Sequence, residues 1–516
     1  MGTKTIPVID LFAGPGGLAE GFSSVFKNNK RVFDIKLSIE KDENAHKTLE
    51  LRSFYRQFEK GNAPKEYYEL IKESNLSSRE VKRQELFEKY PKEAEKARTE
   101  AWCCELGNKN FPNEEIDNRI QAGLGDRKDW VLIGGPPCQA YSLVGRSRVG
   151  GIDNQDHRVY LYKEYLRIIA KHHPAIFVME NVKGLLSAKV GEERVFDWML
   201  KDLKDPGSVF EGFETPTYKI HSLVVEDVKK DRDYLIKAED YGVPQKRHRV
   251  ILLGIREDVN ESPEQLKKKA EVCLEDVIAD LPRIRSGLNR KFSHLKNGKR
   301  KYSNVVDSQK EWAQLINNFK NDIVTWNGFT KKEVPNKISA PKNGIGAEYL
   351  DGETIPKKLY KWYTDKRLKG IPNHESRSHL VEDLNRYLFA AIYTNKYKKF
   401  PRMADYEKHG EGLLPDHKSA TSGKFADRFR VQLAGIPATT VTSHISKDGH
   451  YFIHYDPTQC RSLTVREAAR IQTFPDNYLF CGSRTQQYHQ VGNAVPPFLA
   501  SQIGEVVNKL FKNEND

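Results

Sequence analysis

Over the first 50 residues, short continuous apolar runs alternate with a segment whose apolar residues recur at helical spacing. Residues 6–12 form an apolar run that ends in a glycine-rich stretch, and residues 32–39 form a second run that ends at Glu40. Between them, apolar residues recur at the spacing of a helix: Leu18, Phe22, Val25 and Phe26. Strand, glycine loop, helix and strand in this order predict the opening of an α/β fold with a mostly parallel sheet.

The same alternation continues to about residue 256, with one interruption. Further strands are predicted at 130–133, 175–179, 221–225 and 249–254, and helices at 160–172 and 193–203. Residues 52–112 are rich in Lys, Glu, Arg and Tyr with helical patterning, which predicts a helical insertion on the surface. The predicted fold class is α/β, a mostly parallel sheet with helices on both faces.

The pattern changes after residue 256. Residues 285–430 have few long apolar runs and several Pro and Gly breaks, which is typical of a loop-rich recognition domain. Regular patterning returns at 462–472, a predicted helix with Thr464 and Glu467 as a capping box, and at the amphipathic helix 497–511. The predicted organisation is a catalytic α/β domain at 1–256, a recognition domain at 257–460 and a returning segment at 461–516.

The composition indicates a globular protein with a sizeable core. Of 516 residues, 38% are apolar and 30% charged, which fits about two to four domains. No apolar run approaches the roughly 20 residues of a membrane span, and residues 1–11 lack a signal-peptide pattern, so a cytoplasmic location is expected. The six cysteines contain no Cys-x-x-Cys pair, so neither a disulfide framework nor a structural metal site is expected.

The charge balance suits a polyanionic partner. Lys and Arg number 84 against 71 Asp and Glu, a formal net charge of +13. Most of the excess lies in one block, because residues 256–460 contain 36 Lys and Arg against 26 Asp and Glu. A nucleic acid is the specific interpretation of this block, and a solvated basic surface is the alternative.

Residues 10–17, DLFAGPGG, join a predicted strand to a predicted helix. Glycines at such a junction let a ligand approach the backbone at the helix N-terminus. Glu40 ends the next strand, where an acid can accept hydrogen bonds from ribose hydroxyls. Because the loop lacks the full dinucleotide pattern and a phosphate-binding lysine, it indicates an adenosine-like cofactor. A tight turn that binds nothing is the alternative.

Residues 134–139, GGPPCQ, place a cysteine after a predicted strand, at the edge where open α/β sheets bind ligands. The paired prolines fix the backbone before Cys138, and a thiolate is a strong nucleophile. Glu180 follows another predicted strand and could act as an acid or a base in a dry site, or could cap the next helix. Arg247 and Arg249, two residues apart on a further strand, could meet one ligand or form a salt-bridged edge.

Together these segments resemble the cytosine-5 DNA methyltransferases that use S-adenosylmethionine, and they follow that family's order. The matching segments are DLFAGPGG at 10–17, Glu40, GGPPCQAYS at 134–142, ENV at 180–182, QKRHR at 245–249, RSLTVREAARIQTFPD at 461–476 and QVGNAVPP at 490–497. They span nearly the whole chain. The resemblance implies a Rossmann-like methyltransferase fold with a target-recognition domain.

The resemblance also implies an activity, a DNA (cytosine-5-)-methyltransferase acting on a flipped-out base. Cys138 would attack carbon 6 of cytosine, Glu180 would donate to nitrogen 3, and Arg249, helped by Arg247, would hold the base oxygen. A methyl group would then pass from S-adenosylmethionine to carbon 5.

Further residues take roles from the resemblance. The expected contacts to the cofactor are Phe12, Gly14, Pro15, Gly17, Glu40, Pro137, Leu161, Asn493 and Val495. The acid next to the cofactor adenine is expected at Asp117, with Asp126 as the alternative. The expected contacts to DNA are Gln139, Ser142, Arg146, Arg428, Arg430 and Lys447.

The resemblance implies double-stranded DNA as substrate and a bacterial, nucleoid-associated enzyme that acts as a monomer. A cognate restriction endonuclease would be its partner in a restriction–modification system. A tRNA methyltransferase would usually have a smaller recognition region, and a regulator without activity should have lost the cysteine, the glutamate or the arginines. An NAD-dependent oxidoreductase is disfavoured by the G-x-G-G loop and the Pro-Pro-Cys-Gln strand end.

Overall fold

The computed structural model describes residues 5–137, 157–190, 192–210, 212, 214–296, 299–326, 328–410, 412–415 and 428–511. Within them, the central sheet has eight strands: β1 (Ile6–Leu11), β2 (Phe33–Glu40), β3 (Ala101–Cys103), β4 (Val131–Gly134), β5 (Ile176–Val182), β6 (Tyr218–His221), β7 (Leu235–Lys237) and β8 (His248–Arg256). Their order is β6-β8-β5-β4-β1-β2-β3, and β7 also pairs with β8. From β3 to β5 the neighbours run parallel, whereas β8 is antiparallel to β5. The predicted mostly parallel sheet is confirmed.

Helices cover both faces of this sheet. The longer helices are α1 (Gly17–Ser23), α2 (Glu43–Arg56), α3 (Lys65–Lys72), α4 (Leu76–Lys89), α5 (Pro91–Glu100), α6 (Asn113–Leu124), α7 (His157–His172), α8 (Val195–Lys204), α9 (Gln309–Thr325), α10 (Val381–Tyr397), α11 (Met403–His409), α12 (Val465–Ile471), α13 (Arg484–Asn493) and α14 (Pro497–Lys509). Apolar residues of α6, α7 and α8 pack on one face, and those of α1 and α14 pack on the other.

The strand β1 lies between two cores. All its residues are buried. Ile9 and Leu11 belong to the core beneath α6, α7 and α8, and Ile6 and Val8 belong to the opposite core. Because successive strand residues point to opposite faces, a continuous apolar run gives a strand that is covered on both sides.

The structure differs from the predicted surface insertion at 52–112. The helix α2 continues to Arg56, and β3 pairs with β2 as the edge of the central sheet. Arg52, Arg56 and Glu100 are buried and ion-paired. Charged residues that neutralise one another can be buried, and a count of charges along the chain does not reveal this. The exposed part of the segment is formed by α3, α4 and α5.

Two strands have bounds other than those predicted. The strand β6 spans Tyr218–His221 instead of 221–225. It lies earlier in the chain because Tyr218 packs on Phe177 of β5, with ring centroids 5.3 Å apart. The apolar residue Leu223 enters the core from the following loop instead of extending the strand. The strand β5 continues to Val182, so Glu180 lies within it and not after it.

The described residues of 257–460 form short strand pairs and helices, with one core of their own and a second core shared with α12 and α13. The strand pairs are Gly287–Leu288 with Ser378–His379, Arg290–Lys296 with Lys299–Asn304, and Gly346–Asp351 with Gly370–Glu375. The short helices are Glu275–Ile278 and Tyr360–Tyr363. The helices α9, α10 and α11 share one core, in which Trp312, Tyr387 and Tyr406 are fully buried.

Further short elements connect these parts. The remaining two-stranded pairs are Phe26–Lys27 with Lys30–Arg31, Lys189–Val190 with Glu193–Arg194, and Gln245–Lys246 with Ala438–Thr439. The 3-10 turns are Lys183–Ser187, Pro206–Ser208, Asp231–Tyr234, Ala238–Tyr241 and Ser443–Ser446. The pair at 245–246 and 438–439 joins the segment before β8 directly to the recognition region.

The chain returns to the central sheet through α12, α13 and α14. The predicted capping box is confirmed, since the Thr464 side chain accepts from the Glu467 amide and the Glu467 side chain accepts from the Thr464 amide. The helix α14 packs on α1 so closely that a Cβ atom at Gly21 would overlap Ala500. No helix in the described part of the chain is long and apolar enough to cross a membrane.

Candidate active site

The glycine loop after β1 presents an open cradle beside an acid. Phe12 and Gly14 have positive φ angles of 55° and 57°. The Gly14 amide donates to Glu40 Oε2 at 2.8 Å, and the Asp42 amide donates to Oε1 at 2.8 Å. Burial raises the pKa of Glu40. Apart from its chain neighbours, no described atom lies within 4 Å of the position of a Cβ atom at Gly14, so a ligand can approach there.

Gly17 serves a different purpose from the predicted cofactor contact. A Cβ atom at Gly17 would overlap the carbonyl oxygen of Val495, and one at Gly16 would lie 2.7 Å from Leu49 Cδ2. Pro15 is buried, and its carbonyl accepts a hydrogen bond from the Tyr478 hydroxyl. These residues therefore contact other parts of the protein rather than open space.

The glycine pair after β4 brings this strand close to Glu180. A Cβ atom at Gly134 would lie 2.6 Å from the carbonyl oxygen of Leu11, and one at Gly135 would lie 3.0 Å from Glu180 Oε2. Pro137 is the last described residue before the predicted nucleophile. The other predicted residues of this loop lie outside the described residues: Cys138, Gln139, Ser142 and Arg146.

Glu180 and Arg249 form an ion pair across β5 and β8. Arg249 Nε lies 2.7 Å from Glu180 Oε1, and the side chains are 15% and 13% exposed. The antiparallel register places Arg249 opposite Val182 and Glu180 opposite Ile251, so the two side chains reach each other diagonally. The predicted acid and cation are thus adjacent, and their contact with solvent leaves access for a substrate.

Arg247 is more deeply placed than its neighbour. It is 2% exposed, and its Nη1 donates to the carbonyl of Val441 at 2.7 Å. Burial lowers the pKa of Arg247, and the nearby charge of Arg249 lowers it further. The structure therefore places Arg247 between the sheet and the recognition region, where it holds the backbone at residue 441.

The structure does not bring Asp117 to the glycine loop. Its carboxylate accepts from Arg167 Nη1 at 2.9 Å and lies 2.9 Å from His172 Nε2, at the end of α7 that leads into the amino end of β5. Asp126 precedes β4 and is also at the amino edge of the sheet, opposite to Gly14. The acid that does follow β3 is Glu105, whose carboxylate pairs with Lys41 at 2.9 Å. The long charged insert before β3 hid this relation from the spacing of acids.

The QVGNAVPP segment, residues 490–497, packs the returning chain against the candidate active site. Leu161 and Val495 are buried, whereas Asn493 is exposed at the end of α13. A Cβ atom at Gly492 would overlap the backbone of residues 442–443. No helix is predicted at 484–493 from the sequence, so the packing role of Gly492 inside α13 is visible only in the structure.

The cations predicted to contact DNA have unequal surroundings. Arg428 Nη2 lies 3.3 Å from Asp448 Oδ2, so its charge is partly neutralised. Arg430 lies over the Phe400 ring, 4.9 Å from the centroid, and burial lowers the pKa of its guanidinium. Lys447 is exposed. Of these three, Lys447 is placed most openly for a phosphate.

Comparison with known proteins identifies the family. A profile of the C-5 cytosine-specific DNA methylases matches residues 92–509. The chain belongs to this family. The type II methyltransferase M.Bpa9945I of Bacillus paralicheniformis is 34% identical over 532 residues, which cover 98% of this methylase and the whole of that protein. The family and the activity class predicted from the sequence motifs are confirmed.

More distant relatives agree with this assignment. The DNA (cytosine-5-)-methyltransferase M.ApeKI of Aeropyrum pernix is 26% identical over 74% of this methylase and 81% of its own chain. The crystal structure of a prophage-encoded DNA modification methyltransferase of E. coli has a TM-score of 0.52 and 19% identity, covering 98% and 99% of the two chains. This similarity confirms the fold.

Proposed function

We propose that this methylase transfers a methyl group from S-adenosylmethionine to carbon 5 of a flipped-out cytosine in double-stranded DNA, with Cys138 as nucleophile. The observation that carries the proposal is the Glu180–Arg249 pair, 2.7 Å between Oε1 and Nε, directly beside Gly135. The pair combines an acid with a fixed cation. Gly135 precedes the proposed nucleophile Cys138 by three positions in the sequence GGPPC. Cytosine activation requires this combination.

Each side chain has a defined task in the proposed reaction. Carbon 6 of cytosine is electrophilic when nitrogen 3 is hydrogen-bonded by an acid, so Glu180 would take up a proton as the base enters and donate it to nitrogen 3. The Arg249 guanidinium holds the base oxygen and stabilises negative charge that develops on the ring. The Cys138 thiolate forms a bond to carbon 6 and moves an electron pair toward carbon 5. After methylation, water takes the carbon-5 proton, the electrons of that bond expel the Cys138 thiolate, and nitrogen 3 returns its proton to Glu180, which restores the aromatic base.

The glycine loop fits the adenosine part of the cofactor. The space at Gly14 is open, and each Glu40 oxygen accepts one amide hydrogen bond and keeps a second lone pair for a ribose hydroxyl. Phe12, Pro137 and Leu161 would supply apolar contacts, with Asn493 and Val495 next to them. S-adenosylmethionine, when bound, supplies the methyl group as an electrophilic carbon.

Further parts of the proposal concern DNA and partners. Residues 257–460 would recognise the target sequence and hold the extruded base in its pocket. We propose that the methylase acts as a monomer in the bacterial cytoplasm, at the nucleoid, and that a cognate restriction endonuclease accompanies it. The type II methyltransferase name of the M.Bpa9945I relative supports this setting.

The test is methyl transfer from labelled S-adenosylmethionine to mixed genomic DNA, with Cys138→Ser as the matched variant. Bisulfite sequencing then locates the product. The expected result is label on carbon 5 of cytosine in one sequence context, lost in Cys138→Ser. Label on tRNA in place of DNA would contradict the proposed substrate, and label that survives in Cys138→Ser would contradict the proposed nucleophile.

A further inference from the structure

An exposed basic ribbon projects from the recognition region. The strand Arg290–Lys296 pairs antiparallel with Lys299–Asn304, and all seven residues of the first strand are exposed. These two strands, residues 290–296 and 299–304, are called here the basic hairpin, and they contain six Lys and Arg and no Asp or Glu. An isolated two-stranded hairpin has marginal stability in water, and charges of one sign repel one another. This concentration of charge therefore needs an explanation other than folding.

The basic hairpin combines cations with aromatic rings. Phe292 and Tyr302 are opposite each other, with ring centroids 6.5 Å apart, and each is 37% exposed. The Arg300 guanidinium lies 5.1 Å from the Phe292 centroid, and that of Arg290 lies 5.6 Å from the Tyr302 centroid. Each ring therefore orders an arginine at the surface.

Three of the four lysines of the basic hairpin have no partner carboxylate in the described part of the chain. No carboxylate of the described residues forms an ion pair with Lys291, Lys296 or Lys301. Elsewhere exposed lysines do pair, as Lys65 does with Glu69 at 3.0 Å. Unneutralised lysines on a narrow ribbon attract a polyanion, and the phosphates of duplex DNA supply about one charge per 1.7 Å of helix axis.

The base of the basic hairpin is linked by hydrogen bonds to segments that lead to the candidate active site. The Gly287 amide donates to the carbonyl of Arg377, whose guanidinium donates to the carbonyls of Ile445 and Lys447 at 2.7 and 3.2 Å. The same 441–447 segment is held by Arg247 at its start. The hairpin is also anchored on α10, because the Phe292 amide donates to Glu382 Oε1 at 2.6 Å. It is thus connected to the catalytic sheet through a short series of hydrogen bonds.

We propose that the basic hairpin binds the phosphate backbone of DNA that flanks the methylated cytosine. This inference rests on the proposed function, since it takes DNA as the substrate. Lysine contacts to phosphates raise affinity without reading bases, so the hairpin contributes salt-dependent affinity and leaves the choice of target sequence to other residues.

The test compares two triple variants with the full-length wild-type chain. The hairpin variant is Lys291→Gln, Lys296→Gln, Lys301→Gln, and the matched control is Lys72→Gln, Lys92→Gln, Lys96→Gln, exposed lysines on α3 and α5. Affinity for a duplex of about 30 base pairs that contains the bisulfite-mapped site is measured by fluorescence anisotropy across a range of KCl concentrations. The methylated positions are then mapped for each variant.

The slope of log affinity against log salt should become shallower by about 2.7 in the hairpin variant, roughly 0.9 for each lysine. From about 50 to about 200 mM salt, the wild type should therefore lose about 40-fold more affinity than the hairpin variant does. The control should keep the wild-type slope, and both variants should methylate the same sequence context.

The possible outcomes separate this inference from the proposed function. A hairpin variant with the slope of the control, in a chain that methylates DNA, would overturn the hairpin assignment alone. Altered methylation context would show base reading and overturn the phosphate assignment. A loss of affinity for RNA but not for DNA would overturn it as well. A wild-type chain that neither binds nor methylates DNA would overturn the proposed function itself.

Discussion

Gly14 and Gly17 lie three residues apart in one loop, but their missing side chains serve different purposes. Gly14 borders open space next to Glu40, whereas Gly17 lies against the backbone of Val495. Sequence analysis assigned both to the cofactor, because the motif itself does not show which element packs on it. The contact of Gly17 joins two segments almost 480 residues apart in the chain.

We predict that Gly17→Ala destabilises the methylase. The added Cβ would overlap a backbone oxygen that cannot rotate away, and overpacking of this kind costs about 1 to 3 kcal/mol. Gly435→Ala is the control, since Gly435 is exposed and has no described neighbour within 4 Å of its Cβ position. Thermal unfolding measures both variants, and equal stability of the two would contradict the packing role.

We predict that Arg249→Ala lowers kcat about 100-fold or more, the cost of removing a group that stabilises a developing charge. Cofactor affinity should change little, because Arg249 pairs with Glu180 on β8 and β5 and not with the glycine loop. Single-turnover methyl transfer and calorimetric binding of S-adenosylmethionine measure the two effects. An equal loss of rate and of cofactor affinity would show that the role of Arg249 is structural.

At the scale of elements, the helix α2 forms hydrogen bonds both to α1 beside the central sheet and to the returning segment at 461–516. Arg52 Nε donates to Glu20 Oε2 on α1 at 2.8 Å, and its Nη1 donates to Asn477 Oδ1 at 3.0 Å. Burial alone would raise the pKa of Glu20, but the charge and hydrogen bonds of Arg52, together with the charges of Arg56 and Arg31, leave the pKa below its usual value. The helix α2 thus uses buried charges where an apolar stripe would be expected.

We predict that Arg52→Met destabilises the methylase by about 3 to 5 kcal/mol, because Glu20 stays buried with only a longer contact to Arg56, at 3.7 Å. The double variant Arg52→Met, Glu20→Gln should recover part of this loss, since the buried charge is removed. Denaturant unfolding measures the wild type, the single variants Arg52→Met and Glu20→Gln, and the double variant. A double variant as unstable as the sum of the two single variants would contradict the ion-pair explanation.

Across the whole molecule, the buried side chain of His374 joins the recognition region to α12. His374 Nε2 donates to the carbonyl of Pro282 at 2.9 Å, and Nδ1 lies 3.0 Å from Thr464 Oγ1. Burial lowers the pKa of His374 to about 4; Glu467 opposes the shift, and Arg461 and Arg470 add to it. The unfolded chain takes up this proton near pH 6.5, whereas the folded chain does so only near pH 4. The contribution of neutral His374 to the free energy of unfolding is therefore complete above pH 6.5 and is lost as the pH falls toward 4.

We predict that His374→Gln is less stable than the wild type at neutral pH. The difference in their free energies of unfolding should narrow by about 2 kcal/mol at about pH 5. The variant lacks the histidine whose unfolded form takes up a proton in this range. Denaturant unfolding of both proteins at several pH values measures the difference. A difference that does not change with pH would contradict the assignment.

The alternation of apolar runs and helical spacing predicted the strands of the central sheet except β3 and β7. Of the helices around the sheet it predicted α1, α7, α8 and α14, but not α2 or α6. It predicted β1, β2, β4 and β8 to within two residues, because strands buried on both faces are continuous apolar runs. It failed for β3, which is three residues long and follows a charged helix. Such a strand is stabilised by pairing with β2, a contact that no local pattern records.

By itself, the sequence determined the order of the catalytic segments and their residue types, since these depend on chemistry and on local turns. Only the tertiary structure decided which partners they have: Gly17 with Val495, Arg247 with Val441, and Asp117 with Arg167 rather than with the cofactor loop. The physical reason is that a side chain's role depends on the atoms around it. Those atoms come from segments that are distant in the chain and become neighbours only when both cores have formed.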